Sequence, residues 1–248
     1  MTLNEFFANN PRVAVALSGG ADSSYLLYAA KAAGCDTRAY FLKSQFQPRF
    51  EHDDAKRAAQ FAGAPLVIRE LDVLGVGAVA ANPPDRCYHC KLAMFTKLRE
   101  IARADGFDLL CDGTNADDEE GDRPGMRALR ELGVVSPLRE CGLTKADVRR
   151  LSQDAGLFTY RKPSYACLAT RIPAGTEITA ELLGKIERAE GAMSAMGFSD
   201  FRVRLVPPRG AKIQLPEPQF FLALELRGDI LAALGGDFDS VALDLAPR

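Results

Sequence analysis

No stretch of the 248-residue chain approaches the roughly 20 consecutive apolar residues that span a bilayer, so no membrane-crossing helix and no membrane partner are expected. Neither sign of charge dominates: 31 Lys and Arg stand against 33 Asp and Glu, a net charge of −2. Such a balance gives no global pull toward nucleic acid and leaves only local basic patches to consider. The start, Met1-Thr2-Leu3-Asn4-Glu5-Phe6-Phe7, lacks both the basic and the long apolar stretch of a secretory signal, which points to the cytoplasm. In that reducing compartment Cys35, Cys87, Cys90, Cys111, Cys141 and Cys167 are expected as thiols, suited to metal binding or catalysis where they cluster. Internal repeats and low-complexity tracts are missing too. What remains is the composition of a folded protein, 47% hydrophobic and 26% charged, in a length that suits one to two domains without disulfides.

Residues 13–17 are a continuous apolar run that reads as a strand buried on both faces. Ser18-Gly19-Gly20 interrupts it, and residues 21–33 have helical composition, ended by Gly34. Further strands are expected at 37–42, 66–71 and 108–111, with helices at 51–62 and 88–104. A helix over 144–155 opens with Thr144 at the N-cap and Asp147 at N3. Strands alternating with helices predict an α/β fold built on a doubly wound, mostly parallel sheet. The alternation fades near Ser164. Beyond it, a charged helix over 180–196, strands at 201–206 and 211–215, and a last strand pair at 228–234 and 240–245 predict a smaller α+β domain. The expected division is 1–165 and 166–248.

Between the first strand and the first helix lies Ser18-Gly19-Gly20-Ala21-Asp22-Ser23-Ser24. Two glycines permit φ > 0 and close backbone approach, so successive N–H groups can form an anion nest. Ser18, Ser23 and Ser24 add hydroxyl donors, and the helix that follows points its positive end at the anion. A Walker A loop needs Gly-Lys-Ser/Thr, and a Rossmann loop needs a third glycine; neither is present. The stretch resembles the PP-loop of the ATP-pyrophosphatase superfamily, whose members split ATP between the α and β phosphates and hold the departing pyrophosphate on this loop. After the fourth expected strand come Asp112, Asp117 and Asp118, where doubly wound sheets bind ligands. These carboxylates suit Mg²⁺ between phosphates, the plainer reading being a solvated acidic loop.

Cys87 and Cys90 form a Cys-x-x-Cys at the start of a helix, flanked by Arg86 and Lys91, a setting that favours thiolates. Zinc wants four ligands, whereas no second Cys-x-x-Cys exists and the only histidines are His52 and His89. A dithiol redox pair lacks a thioredoxin-like context. A third thiolate folded close by would make a three-cysteine iron–sulfur site with one iron left open. Cys167, in a proline-containing loop at the domain junction, is the best third candidate; the others read as small buried hydrophobes.

Taken together, these stretches resemble the LarE family of ATP-dependent sulfur transferases. The matches are residues 18–23, 82–91, 112–118, 123–125, 131–138, 162–164 and 167–171, spread over most of residues 10 to 215. The resemblance implies synthesis of the nickel-pincer nucleotide: ATP adenylates a carboxylate of pyridinium-3,5-dicarboxylate mononucleotide, and sulfur displaces AMP. In one branch of the family the cysteine matching Cys167 gives up its own sulfur. In another, cysteines matching Cys87, Cys90 and Cys167 hold a [4Fe–4S] cluster that carries an extra sulfide; all three are present here, so the resemblance favours the cluster branch. The resemblance also assigns the substrate phosphate to Arg202 and Arg204, which alternate along a strand and share one face. It further implies other nickel-pincer biosynthesis enzymes as partners, a homo-oligomer, and ATP and Mg²⁺ as cofactors. Tyr160-Arg161 and Ala174 depart from the family pattern on the substrate side. The alternative readings are a PP-loop tRNA thiolase and a non-catalytic adenylate- or metal-binding sensor.

Overall fold

The computed structural model describes residues 1–118 and 124–248, and Arg123 of the matching stretch 123–125 lies outside them. The chain divides into two units, residues 1–79 with 85–162 and residues 80–84 with 163–248.

In the first unit the chain runs α1 (Leu3–Asn9), β1 (Arg12–Ala16), α2 (Ala21–Ala32), β2 (Asp36–Lys43), α3 (Arg49–Ala62), β3 (Leu66–Glu70), a one-turn α4 (Gly77–Ala80), α5 (Arg86–Ala104), β4 (Leu110–Cys111), α6 (Pro124–Glu131), a one-turn α7 (Pro137–Glu140) and α8 (Lys145–Asp154). The four strands pair in the order β3-β2-β1-β4, all parallel. Consecutive residues of β1 and β2 are buried, so neither face of the central strands is exposed. Val13, Val15, Ala39 and Phe41 enter one apolar cluster, while Ala14, Tyr40 and Leu42 enter another with Leu98 and Ala102 of α5. That two-sided burial is why the strands read as continuous apolar runs. α8 begins with the expected capping box, Thr144 Oγ1 accepting from the Asp147 N–H and the Asp147 carboxylate accepting from the Thr144 N–H. The chain order leaves β1 on one side and β4 on the other of the point where connections reverse direction, and a crevice opens there at the strands' carboxyl ends.

The second unit holds α9 (Ala180–Ala195), β5 (Arg202–Val206), β6 (Gly210–Gln214), α10 (Phe220–Glu225), α11 (Arg227–Leu234) and β7 (Ser240–Leu243). β5 and β6 are antiparallel, and β7 joins β6 in parallel. The expected strand at 228–234 is instead helix α11. Its Ile-Leu-Ala-Ala-Leu run is too short for periodicity to decide, and Asp229 in the first turn with two alanines favours the helix. No described helix is long and apolar enough to cross a membrane.

Candidate active site

The crevice beside β1 and β4 is a cavity of about 550 Å³ inside the first unit, and its lining includes Ser18, Gly20, Asp22, Ser23, Asp112 and Asp118. The loop that enters it is held from within. Ser18 donates its N–H to Ser23 Oγ at 3.1 Å, the two hydroxyls lie 3.0 Å apart, and the Gly20 N–H reaches Ser18 Oγ at 3.3 Å. Gly20 is the N-cap of α2 and carries no capping side chain, so the first N–H groups of the helix lack intrahelical partners and face the cavity end. Gly19 stands at φ +74° against α3, where a Cβ would come within 2.7 Å of the Glu51 carbonyl. Gly113 is as tightly set: its Cβ would meet the Ser23 nitrogen at 2.6 Å.

The expected residues do not all share this cavity. Ser24 is wholly buried in α2, and its hydroxyl has no partner, so it contributes no donor to the cavity. Asp117 is turned elsewhere and accepts the Lys145 N–H at 2.7 Å. Asp112, nearly buried, is fixed by Thr114 Oγ1 at 2.5 Å and Ser136 Oγ at 2.6 Å. Asp118 accepts the Asn115 N–H at 3.0 Å. Asp22 pairs with Lys145 Nζ at 2.5 Å, and Lys162 Nζ donates to the Gly19 carbonyl at 3.0 Å while pairing with Asp54. Lys145 lies outside the stretches that sequence reasoning singled out, and Thr114, Ser136 and Lys162 lie within them without having been given a role. The absent Walker lysine was the one hint that cations would have to come from distant segments.

Cys87, at the second position of α5, is exposed and lines the same cavity beside Lys91. Cys90, one turn on, is buried and donates to Met94 Sδ at 3.7 Å. Burial pushes the thiols of Cys35, Cys111 and Cys141 up, in keeping with their reading as packing residues. Cys167 belongs to the second unit, at the N-cap of a short 3₁₀ turn (Leu168–Arg171). Among the described residues no three His, Cys, Asp or Glu side chains are grouped to hold a metal ion. For Mg²⁺ the fit is better, because one or two carboxylates plus substrate phosphates suffice, and Asp112 and Asp118 supply hard oxygens in one cavity.

Arg202 and Arg204, expected to face a phosphate, both lie on β5 in the second unit. Arg202 is 5% exposed and donates to the Phe201 and Ser164 carbonyls, and Arg204 donates to Gln214 and to the Thr170 carbonyl.

The family described as tRNA methyl transferase HUP domain matches residues 11–81, which carry β1, the glycine loop and α2. An uncharacterised protein of Synechocystis is 36% identical over 88% of this chain and 81% of its own length. The pyridinium-3,5-bisthiocarboxylic acid mononucleotide synthase of Lactiplantibacillus plantarum is 35% identical over 94% of this chain and 86% of its own. The chain belongs to the LarE family. As a LarE-family protein it is an ATP-dependent sulfurtransferase with an α/β PP-loop fold. More distantly, this chain is 30% identical, over 46% of its length, to the tRNA-5-methyluridine(54) 2-sulfurtransferase of Pyrococcus horikoshii, covering 38% of that protein.

Proposed function

We propose that the chain adenylates a carboxylate of pyridinium-3,5-dicarboxylate mononucleotide with ATP and replaces the adenylate by sulfur. The observation that carries this reading is the cavity that joins the uncapped end of α2, the Ser18 and Ser23 hydroxyls and the Asp112 and Asp118 carboxylates to Cys87. The printed name of the L. plantarum relative, a bisthiocarboxylic acid mononucleotide synthase, supports the substrate.

A carboxylate resists attack because its leaving group would be oxide. A substrate carboxylate oxygen therefore first attacks the α-phosphorus of ATP, and the bond to the bridging oxygen of the β-phosphate breaks. Pyrophosphate departs with the electron pair, held by the backbone N–H groups of residues 19–23 and the positive end of α2. Asp112 and Asp118 would hold Mg²⁺, which supplies charge neutralisation on the phosphates. Lys145, paired with Asp22 at the cavity wall, adds positive charge close to the same phosphates.

Sulfur then attacks the acyl carbon, the C–O bond to AMP breaks, and AMP carries the electron pair away. Two carriers follow from the cysteines: sulfide on a [4Fe–4S] cluster of Cys87, Cys90 and Cys167, or Sγ of Cys167 itself. The step is written here for Cys167 as the carrier. Its thiolate forms a thioester, loss of the Cα proton breaks the Cβ–S bond, and a thiocarboxylate leaves with dehydroalanine behind. No external oxidant or reductant is needed.

The test is pyrophosphate release from ATP with and without the pyridinium nucleotide, and with tRNA in its place. Release dependent on the nucleotide is expected. Release that depends on tRNA would replace this reading with that of a tRNA thiolase, and no release with either would leave a nucleotide-binding sensor.

A further inference from the structure

Ser18, Gly20, Asp22 and Ser23 line the cavity of the first unit, whereas neither Gly19 nor Lys162 does. The Gly19 carbonyl instead accepts from Lys162 Nζ at 3.0 Å. The same ammonium pairs with Asp54 of α3 at 2.5 Å and lies 5.1 Å from the centre of the Phe50 ring. Both charged side chains are mostly buried, Lys162 at 17% exposure and Asp54 at 25%. The backbone that carries the lysine is fastened in turn. Arg149 of α8 donates to the Tyr160 carbonyl at 3.3 Å and to the Lys162 carbonyl at 3.1 Å. Gly19 also stands hard against α3, where a Cβ would come within 2.9 Å of the Ala55 nitrogen and 3.1 Å of the Asp54 Cβ. The glycine loop, α3 and the end of the short turn after α8 (Phe158–Arg161) thus meet at one ammonium, all within the first unit.

The peptide between Gly19 and Gly20 is the freest in the loop, because neither residue has a Cβ to bar its rotation. A grip from outside is what two adjacent glycines lack. A peptide unit is planar and trans, so the Gly19 C=O and the Gly20 N–H point in opposite directions. A donor that holds the carbonyl on the α3 side therefore aims the Gly20 N–H the other way, where it reaches the cavity-lining Ser18 Oγ at 3.3 Å. A lysine that binds phosphate presents its charge to the ligand. Here the Asp54 carboxylate neutralises that charge at contact distance, and the ammonium meets the loop through a carbonyl.

We propose that Lys162 is a positioning residue: paired with Asp54, it fixes the Gly19–Gly20 peptide so that the Gly20 N–H faces the pyrophosphate part of ATP. This rests on the reading of the glycine loop as the holder of pyrophosphate. Lys162 itself makes no bond to the phosphates.

The test is calorimetric titration of the full-length protein with ATP, inorganic pyrophosphate and AMP, in the wild type, Lys162→Met, Asp54→Ala and the double variant. Each single variant should bind ATP and pyrophosphate roughly tenfold more weakly and AMP as the wild type does, because AMP lacks the phosphates that meet the Gly20 N–H. The two losses should not add, since lysine and carboxylate act as one unit: the double variant should bind no more weakly than the weaker single one. Tighter ATP binding in Asp54→Ala would overturn the proposal, because the released ammonium would then be a phosphate ligand. Additive losses, an equal loss for AMP and ATP, or wild-type affinities throughout would overturn it as well. If Lys162→Met fails to fold, Asp54→Ala, which keeps a good helix former in α3, decides by the same comparison of ATP with AMP. A wild type that binds neither ATP nor pyrophosphate would sink the reading of the loop and the proposal with it. A wild type that binds both, with unaltered variants, would sink the role of Lys162 alone.

Discussion

At the scale of single residues, the site depends on atoms that are missing. Gly19 occupies a left-handed conformation that costs a side chain roughly 1–2 kcal/mol, and here a Cβ would also strike the Glu51 carbonyl and the Ala55 nitrogen. Gly19→Ala should therefore lower the melting temperature and weaken ATP binding at least tenfold, measured by calorimetric titration; wild-type affinity in a folded variant would remove the loop from the ATP site. Asp112 makes the complementary case, since its two hydroxyl donors hold it facing the cavity. Asp112→Asn keeps that shape but loses the charge, so Mg²⁺-dependent pyrophosphate release should drop roughly 10- to 100-fold with little change in melting. The glycine loop was readable because strand, glycines and helix N-terminus are contiguous. Lys145 was not, because it reaches the site from outside every matched stretch, and Ser136 and Lys162 lie in matched stretches whose sequence alone assigns them no role.

At the scale of elements, caps and periodicity told most. The capping box of α8 was visible as Thr144 with Asp147 three residues on, and Thr144→Ala should cost about 1 kcal/mol, read as a shift in the urea midpoint. β2 offers a test of burial on the second sheet face. Tyr40 is 1% exposed and donates to Asp105 at 3.0 Å; burial first, then that bond, pushes its phenol up to about 12. A raised pKa stabilises the fold while the phenol is protonated, so the contribution is whole below about pH 10 and is lost as pH climbs through about 12. Urea midpoints should fall more steeply over that range in the wild type than in Tyr40→Phe; parallel slopes would refute the assignment. α11 was misread because a short apolar run carries no period. Alternation along β5 shows that Arg202 and Arg204 share a face, whereas their bonds to the carbonyls of residues 164 and 170 come from loops that carry no period.

At the scale of the whole molecule, parallel strand order decides where chemistry happens. β1 and β4 end at the crevice, so the glycine loop after one and Asp112 after the other meet although some 90 residues separate them. Chelation of Mg²⁺ should accordingly abolish pyrophosphate release, measured beside the melting temperature of the ATP-free protein, which should stay unchanged because the Mg²⁺ proposed here is held largely by substrate phosphates. The central claim is that ATP cleavage here activates a carboxylate for exchange of oxygen by sulfur. The most direct measurement is mass spectrometry of the pyridinium-3,5-dicarboxylate mononucleotide after incubation with the full-length protein, ATP and Mg²⁺. The account predicts a product in which one carboxylate oxygen is replaced by sulfur, formed together with AMP and pyrophosphate. A nucleotide recovered unchanged while ATP is cleaved would contradict it.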